Sequence, residues 1–196
     1  MAQTEVTVQI LDSKENVINK IQELGYVFQD TLTGNDSYFS IIDPKNATYK
    51  DLTNSSFIVR EFHKKSTNNH QTMLVHKKKL FDKQNRVVGE EKTKVMIDSS
   101  NNAKQLLLNA GLNNWLSLKQ QNSFFVNDEK TLIVGTVEGL DGTFLEVEEF
   151  ESIKNKPENE KFKILCEFVD SLNLKTSNNY SCNKSYMLYN SQNNNQ

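Results

Sequence analysis

Cysteine is scarce in this chain of 196 residues: Cys166 and Cys182 are the only two, and their spacing is not that of a metal-binding pair. Cys166 falls in an apolar helical pattern and reads as a buried thiol, so a reducing, cytoplasmic compartment is expected. Histidine is almost as rare, and His63, His70 and His76 form no cluster with cysteine or carboxylate that would suit zinc. No apolar run approaches the ~20 residues of a membrane-crossing helix, so no membrane partner is expected. The N-terminal stretch MAQTEVTVQIL has neither a basic nor a hydrophobic leader region, and no signal peptide is expected. Charge of one sign is lacking too: net charge is -2 and pI about 6.0, so no global basic field exists to hold a nucleic-acid backbone, and any anion site must be local. No glycine-rich phosphate loop is present, because Gly135-Thr-Val-Glu-Gly-Leu-Asp-Gly lacks both the Lys-Ser/Thr pair and a following helix. No serine nucleophile elbow occurs either.

The content that is present belongs to strands. Apolar residues are only 36%, yet 11 Phe and 6 Tyr are spread through the chain and β-branched residues recur in alternating runs, which argues against disorder. Residues 3–11 place Val6, Val8 and Ile10 on one face and Gln3, Glu5, Thr7 and Gln9 on the other. Asp12 and Glu15 form a capping-box pattern before a helix with Val17, Ile21 and Leu24 on one stripe and Gly25 as its stop. Residues 26–31 and 36–42 read as a hairpin with Gly34-Asn35-Asp36 near the turn. Further strands are expected at 55–63, 71–79, 85–97, 115–126, 130–138 and 142–150. Asp98-Ser99-Ser100 caps a second helix ending before Gly111, and Pro157 suits the first turn of a third. A last short element covers roughly 180–189. Short connections imply antiparallel neighbours. The expected fold is therefore α+β: an eight-stranded antiparallel β-barrel with a wet interior and flanking helices, in one domain over residues 1–190, followed by a disordered Asn-rich tail at 191–196.

Two sets of residues could carry chemistry. Glu146 and Glu148 share a strand face opposite Leu145 and Val147. Two carboxylates facing the same space as Glu5 repel unless a divalent cation lies between them, and hard oxygen ligands suit Mg²⁺ or Mn²⁺. Alternation alone leaves a solvated sheet face as the other reading. Arg60, Lys77 and Lys119 are basic residues within strands, and Lys119 shares a polar stripe with Ser117, Gln121 and Ser123 opposite Leu116 and Leu118. In a barrel interior such cations grip phosphate oxygens; ordinary surface charge is the alternative.

The stretch Val137-Glu-Gly-Leu-Asp-Gly-Thr-Phe-Leu-Glu-Val-Glu148 resembles the late signature of the CYTH, or triphosphate-tunnel, family, which includes class IV adenylyl cyclases, thiamine triphosphatases and inorganic triphosphatases. Asp36-Ser-Tyr38, Val59-Arg60-Glu61, Leu74-Val-His-Lys77, Lys119-Gln-Gln and Ser185-Tyr186 extend the resemblance over nearly the whole chain. It implies a barrel lumen that holds a triphosphate. Glu5, Glu146 and Glu148 would be the metal-binding and catalytic carboxylates, and Arg60, Lys77 and Lys119 the phosphate-binding residues. The signature is eroded. The family's Glu-x-Glu-x-Lys becomes Gln3-x-Glu5-x-Thr7, its Lys-x-Arg becomes Lys119-x-Gln121, its aspartate falls at Gly135, and its central acidic run is placed at Glu91 and Thr93. Lys79, Lys92 and Lys94 could compensate. The resemblance thus implies a metal-dependent phosphohydrolase or adenylyl cyclase-like enzyme of weak activity. The competing expectation is a catalytically impaired relative that binds or sequesters a nucleotide or other phosphorylated ligand. Under either reading the expected partner is a triphosphate-containing or cyclic nucleotide ligand, and the chain is a monomer or homodimer.

Overall fold

The computed structural model describes residues 4–81, 87–180 and 182–193, with residues 87–89 described by backbone alone. Gln3, the first two positions of the expected 85–97 strand and the end of the 191–196 tail lie outside the described residues.

Alternation in β1 (Glu5–Ile10) appears as expected: Val6, Val8 and Ile10 are buried beneath helices, while Glu5 and Thr7 face inward. α1 (Lys14–Glu23) follows, capped by Ser13, whose side chain accepts from the Asn16 amide at 3.2 Å. Asp12 stands one residue earlier and accepts from the Ser13 amide instead. Gly25, at φ +86, supplies the left-handed stop, and Leu24 is exposed rather than on the buried stripe of Val17 and Ile21.

β2 runs unbroken over Val27–Ser40, so the expected hairpin at Gly34-Asn35-Asp36 does not form. These residues carry a local turn signal, but β2 is a central strand, paired with β3 (Ser56–Lys64) on one side and β6 (Asn113–Asn127) on the other. Two ladders of backbone hydrogen bonds outweigh a weak local preference. The turn-rich stretch between β2 and β3 contains a short helix, α2 (Tyr49–Asn54), with a Thr48–Asp51 capping box. β4 (Asn69–Phe81) and β5 (Val87–Met96) continue the sheet, then α3 (Ser100–Asn109), capped by Ser99. β7 (Lys130–Val137), β8 (Thr143–Glu148), α4 (Glu158–Ser171) and α5 (Lys184–Asn193) complete the chain. Pro157 sits at the N-cap of α4 rather than inside its first turn.

All eight strands lie in one antiparallel sheet, in the order β1-β8-β7-β6-β2-β3-β4-β5, curled around a lumen. β1 and β5 are its two edges. The free edge of β1 is covered by the segment before α5: Leu11 donates to the Lys175 carbonyl at 2.8 Å, Ser177 to Gln9 at 2.9 Å and Cys182 to Thr7 at 3.0 Å. That satisfies backbone groups which would otherwise template aggregation. Across the seam, Lys92 of β5 reaches Glu5 of β1 at 3.7 Å.

Apolar packing falls into three clusters. The largest lies outside the sheet under α1 and α4, on Val6, Val8, Leu132, Val134, Leu145 and Val147. A smaller one packs α3 against Phe39 and Val59. The third fills one end of the barrel itself, where Tyr38, Leu116, Leu118, Val137 and Phe144 meet Tyr49 of α2 and Leu188 of α5. The inner face is therefore apolar at the α5 end and carries its charged side chains beyond it.

Candidate anion site in the barrel lumen

A cavity of about 310 Å³ occupies the charged part of the lumen, lined, among the described residues, by six basic and five acidic side chains. β1 and β8 form one wall. Their register sets Glu5 directly across from Glu148 and Thr7 across from Glu146, so strand alternation delivers three carboxylates to one side. β4 and β5 form the opposite wall. Lys77 pairs with Lys92 and Lys79 with Glu90, so Lys77, Lys79, Lys92 and Lys94 all face the cavity.

The ion pairs divide these groups. Glu90, only 3% exposed, receives both Lys77 and Lys92. Asp36 lies opposite Arg60 in the β2–β3 register and takes a bidentate grip from its guanidinium at 2.7 and 2.6 Å. This interaction holds Arg60 as a cation against the opposing effect of burial, and it occupies two of its donors. Glu146 accepts from Lys184, the first residue of α5, at 2.5 Å. Glu148 and Lys94 have no ion-pair partner among the described residues, although both line the cavity.

The electrostatics follow from this layout. Burial alone would raise the Glu5 carboxyl, but Lys77, Lys92, Lys79 and Lys184 overcome it and bring its pKa to about 2. Burial, and then the neighbouring Glu5, push Glu148 upward. Lys77 is held above its usual range by Glu90 and Glu5 against the cost of burial. Lys79 behaves differently. It has no carboxylate in contact among the described residues; its ammonium donates to the Tyr49 hydroxyl at 2.8 Å and lies 5.3 Å from that ring. Burial and Lys77 push its pKa down to about 7.

Five of the six expected site residues, Glu5, Glu146, Glu148, Arg60 and Lys77, line the cavity. Lys119 does not. It lies on the outer face of β6, with its side chain 60% exposed and 3.0 Å from Glu138, beside an outer groove. Gln121 is outside with it, and the inner positions are Gln120 and Asn122. A one-residue shift also corrects β5, where Glu90 and Lys92 point inward rather than Glu91 and Thr93. On β6 the cause is the closed end of the barrel. Leu116 and Leu118 look like the outer apolar stripe of a wet barrel, but they pack inside, so the polar residues alternating with them are outside. An irregular register between Tyr38 and Phe39, which pair with Leu116 and Asn114, lets Trp115 join the inner cluster as well.

Gly135 does face the lumen, but an aspartate there would place its Cβ 2.0 Å from Asn122 Oδ1, so Asn122 would have to move. Asp36, Glu90 and Lys184 were absent from the expected set. Asp36 shares a strand face with Tyr38, a signal that was available; Lys184 carries none, because its position depends on where α5 docks.

The carboxylates do not assemble as a metal centre. Among the described residues no group of three His, Cys, Asp or Glu side chains is placed to hold an ion. Lys184 and Lys92 lie against two of the three expected ligands.

No protein-family model and no curated protein matches the sequence. Solved structures do. The PH1819 protein of Pyrococcus horikoshii OT3 superposes with a TM-score of 0.72 at 17% identity, covering 95% of this chain and 98% of that one. A candidate adenylate cyclase from Vibrio parahaemolyticus gives 0.63 at 14% identity over 96% and 98%. The candidate adenylyl cyclase HpAC1 from Hippeastrum, described as revealing a dominant triphosphatase activity, gives 0.62 at 13% identity over 97% and 96%. At such identities the likeness defines the fold. The chain has a CYTH-like α+β fold, an eight-stranded curled antiparallel sheet with flanking helices.

Proposed function

We propose that the protein binds a triphosphate-bearing or cyclic nucleotide ligand in the lumen and that its turnover of such a ligand is weak. One observation carries this reading: four lysines from two adjacent strands face one cavity, and two of them, Lys79 and Lys94, contact no carboxylate among the described residues. In a partly desolvated lumen such ammonium groups attract a polyanion far more strongly than surface lysines do. The named activities of the similar structures, adenylate cyclase and triphosphatase, support the ligand class.

Weak turnover has its own support. Binding needs only charge attraction, whereas phosphoryl or nucleotidyl transfer needs groups placed where charge develops. Thr7, Gln120 and Asn122 leave the β1–β6 side of the lumen without cations among the described residues apart from Lys184, and Arg60 is committed to Asp36. Mg²⁺ or Mn²⁺ held by Glu5, Glu146 and Glu148 is the sequence-based expectation for catalysis. The carboxylates as placed do not gather for such an ion, and the binding reading does not depend on one.

Calorimetric titration with tripolyphosphate, ATP and cyclic AMP tests the reading, alongside phosphate-release and cyclic-nucleotide assays with Mg²⁺ or Mn²⁺. The expected result is binding that weakens as salt rises, loss of binding in a Lys77→Met/Lys79→Met variant, and slow turnover. Failure of all three ligands to bind at low salt would end this reading; fast turnover would replace it with an enzyme.

A further inference from the structure

We propose that the lumen is neutralised by its own lysines in place of a divalent cation, with Lys184 as the central substitute, so that phosphate binding needs no metal. This rests on the phosphate-binding reading above and adds to it how the charge is balanced.

Lys184 is anchored rather than free. It opens α5, whose start is tied to α2: the Tyr49 hydroxyl hydrogen-bonds to Asn183 at 2.8 Å and to Ser185 at 2.7 Å. Leu188 of the same helix is buried in the apolar end of the barrel. From that anchor the ammonium enters the lumen, 2.5 Å from Glu146 and 3.0 Å from the Gln120 side-chain oxygen, with its side chain only 12% exposed. Across the cavity Lys92 stands between Glu5 and Glu90. Together the two ammonium groups carry the charge of one divalent ion and contact two of the three carboxylates that such an ion would need.

An entering metal must displace a buried ammonium from its carboxylate. The displaced charge is then left in a poorly hydrated space, which is strongly unfavourable. An incoming phosphate meets no such obstacle, since Lys79 and Lys94 contact no carboxylate among the described residues.

The test uses the full chain with tripolyphosphate and MnCl₂ as probes. Tripolyphosphate is titrated in EDTA and again with Mn²⁺, and melting temperature is followed with Mn²⁺ alone. The expected results are binding in EDTA and no Mn²⁺-induced rise in the melting temperature of the parent. Lys184→Gln, which frees Glu146, should gain a rise of about 5 °C at saturating Mn²⁺, while Lys184→Arg should gain none. Binding that requires Mn²⁺, or a parent that Mn²⁺ stabilises, overturns the inference and leaves the phosphate-binding reading intact. No binding in either condition overturns both. A folded Lys184→Gln without a Mn²⁺ response shows that Lys184 is not the substitute. If Lys184→Gln does not fold, the parent and Lys184→Arg measurements decide the question.

Discussion

β1, β7 and β8 have two faces that differ sharply in what they contribute. Outward, Val6, Val8, Leu132, Val134, Leu145 and Val147 are all fully buried beneath α1 and α4 and form the largest apolar cluster. Inward, the same strands present Glu5, Thr7, Ile133, Glu146 and Glu148 to the cavity. The outer face stabilises the fold through the hydrophobic effect. The inner face desolvates charges and recovers part of that cost through ion pairs, a balance that seldom adds net stability. The strands therefore hold their shape from outside, and that support allows a costly charged interior to persist.

The largest expected effect breaks the outer side of this comparison. Leu145→Ala should lower unfolding free energy by about 2–5 kcal/mol, read by chemical denaturation, while tripolyphosphate affinity of the folded protein stays unchanged. A cost below about 1 kcal/mol would mean that the α4 interface is not the principal support.

A second experiment addresses the inner side through Lys79. The unfolded chain holds that lysine's proton up to about 10.5, the folded protein only to about 7. Between those values the unfolded state binds more protons, so this residue makes stability rise with pH above about 7. Anion binding has the opposite dependence, because a bound anion favours the ammonium form. Affinity for cyclic trimetaphosphate, whose own charge is constant in this range, should fall about tenfold between pH 6 and pH 8. Lys79→Gln should flatten most of that slope. An unchanged slope in the variant would show that Lys79 does not titrate with binding.

The smallest effect belongs to the cation outside. Lys119→Ala should change stability by no more than about 0.5 kcal/mol and leave tripolyphosphate affinity unaltered, since its pair with Glu138 is exposed to water. A clear loss of affinity would mean that Lys119 reaches the ligand from the outer face.

Much was legible before any coordinates. The alternation of Glu5 with Val6, and of Glu146 and Glu148 with Leu145 and Val147, was enough to set three carboxylates on one inner face, because each is flanked by apolar residues that must be buried. Lys77 and Arg60 also face the lumen as expected. Where the flanking apolar residues belong to the inner face, the same argument gives the wrong parity. Along β6 the apolar residues lie inside at the closed end, so Lys119 and Gln121 exchange places with Gln120 and Asn122. A shift of one residue moves every side chain to the other face.

Sequence by itself therefore determined seven of the eight strands, the helices near 14–23, 100–109 and 158–171, and the acidic wall of the lumen, because periodicity and capping act over a few residues. Only the tertiary structure decided that β2 runs straight through Gly34, that Asp36 binds Arg60 and that Lys184 enters the lumen to meet Glu146. These depend on pairing between distant strands and on where a C-terminal helix docks, 38 residues beyond the carboxylate it serves. Such contacts are set by long-range packing, and local pattern has no means of encoding them alone.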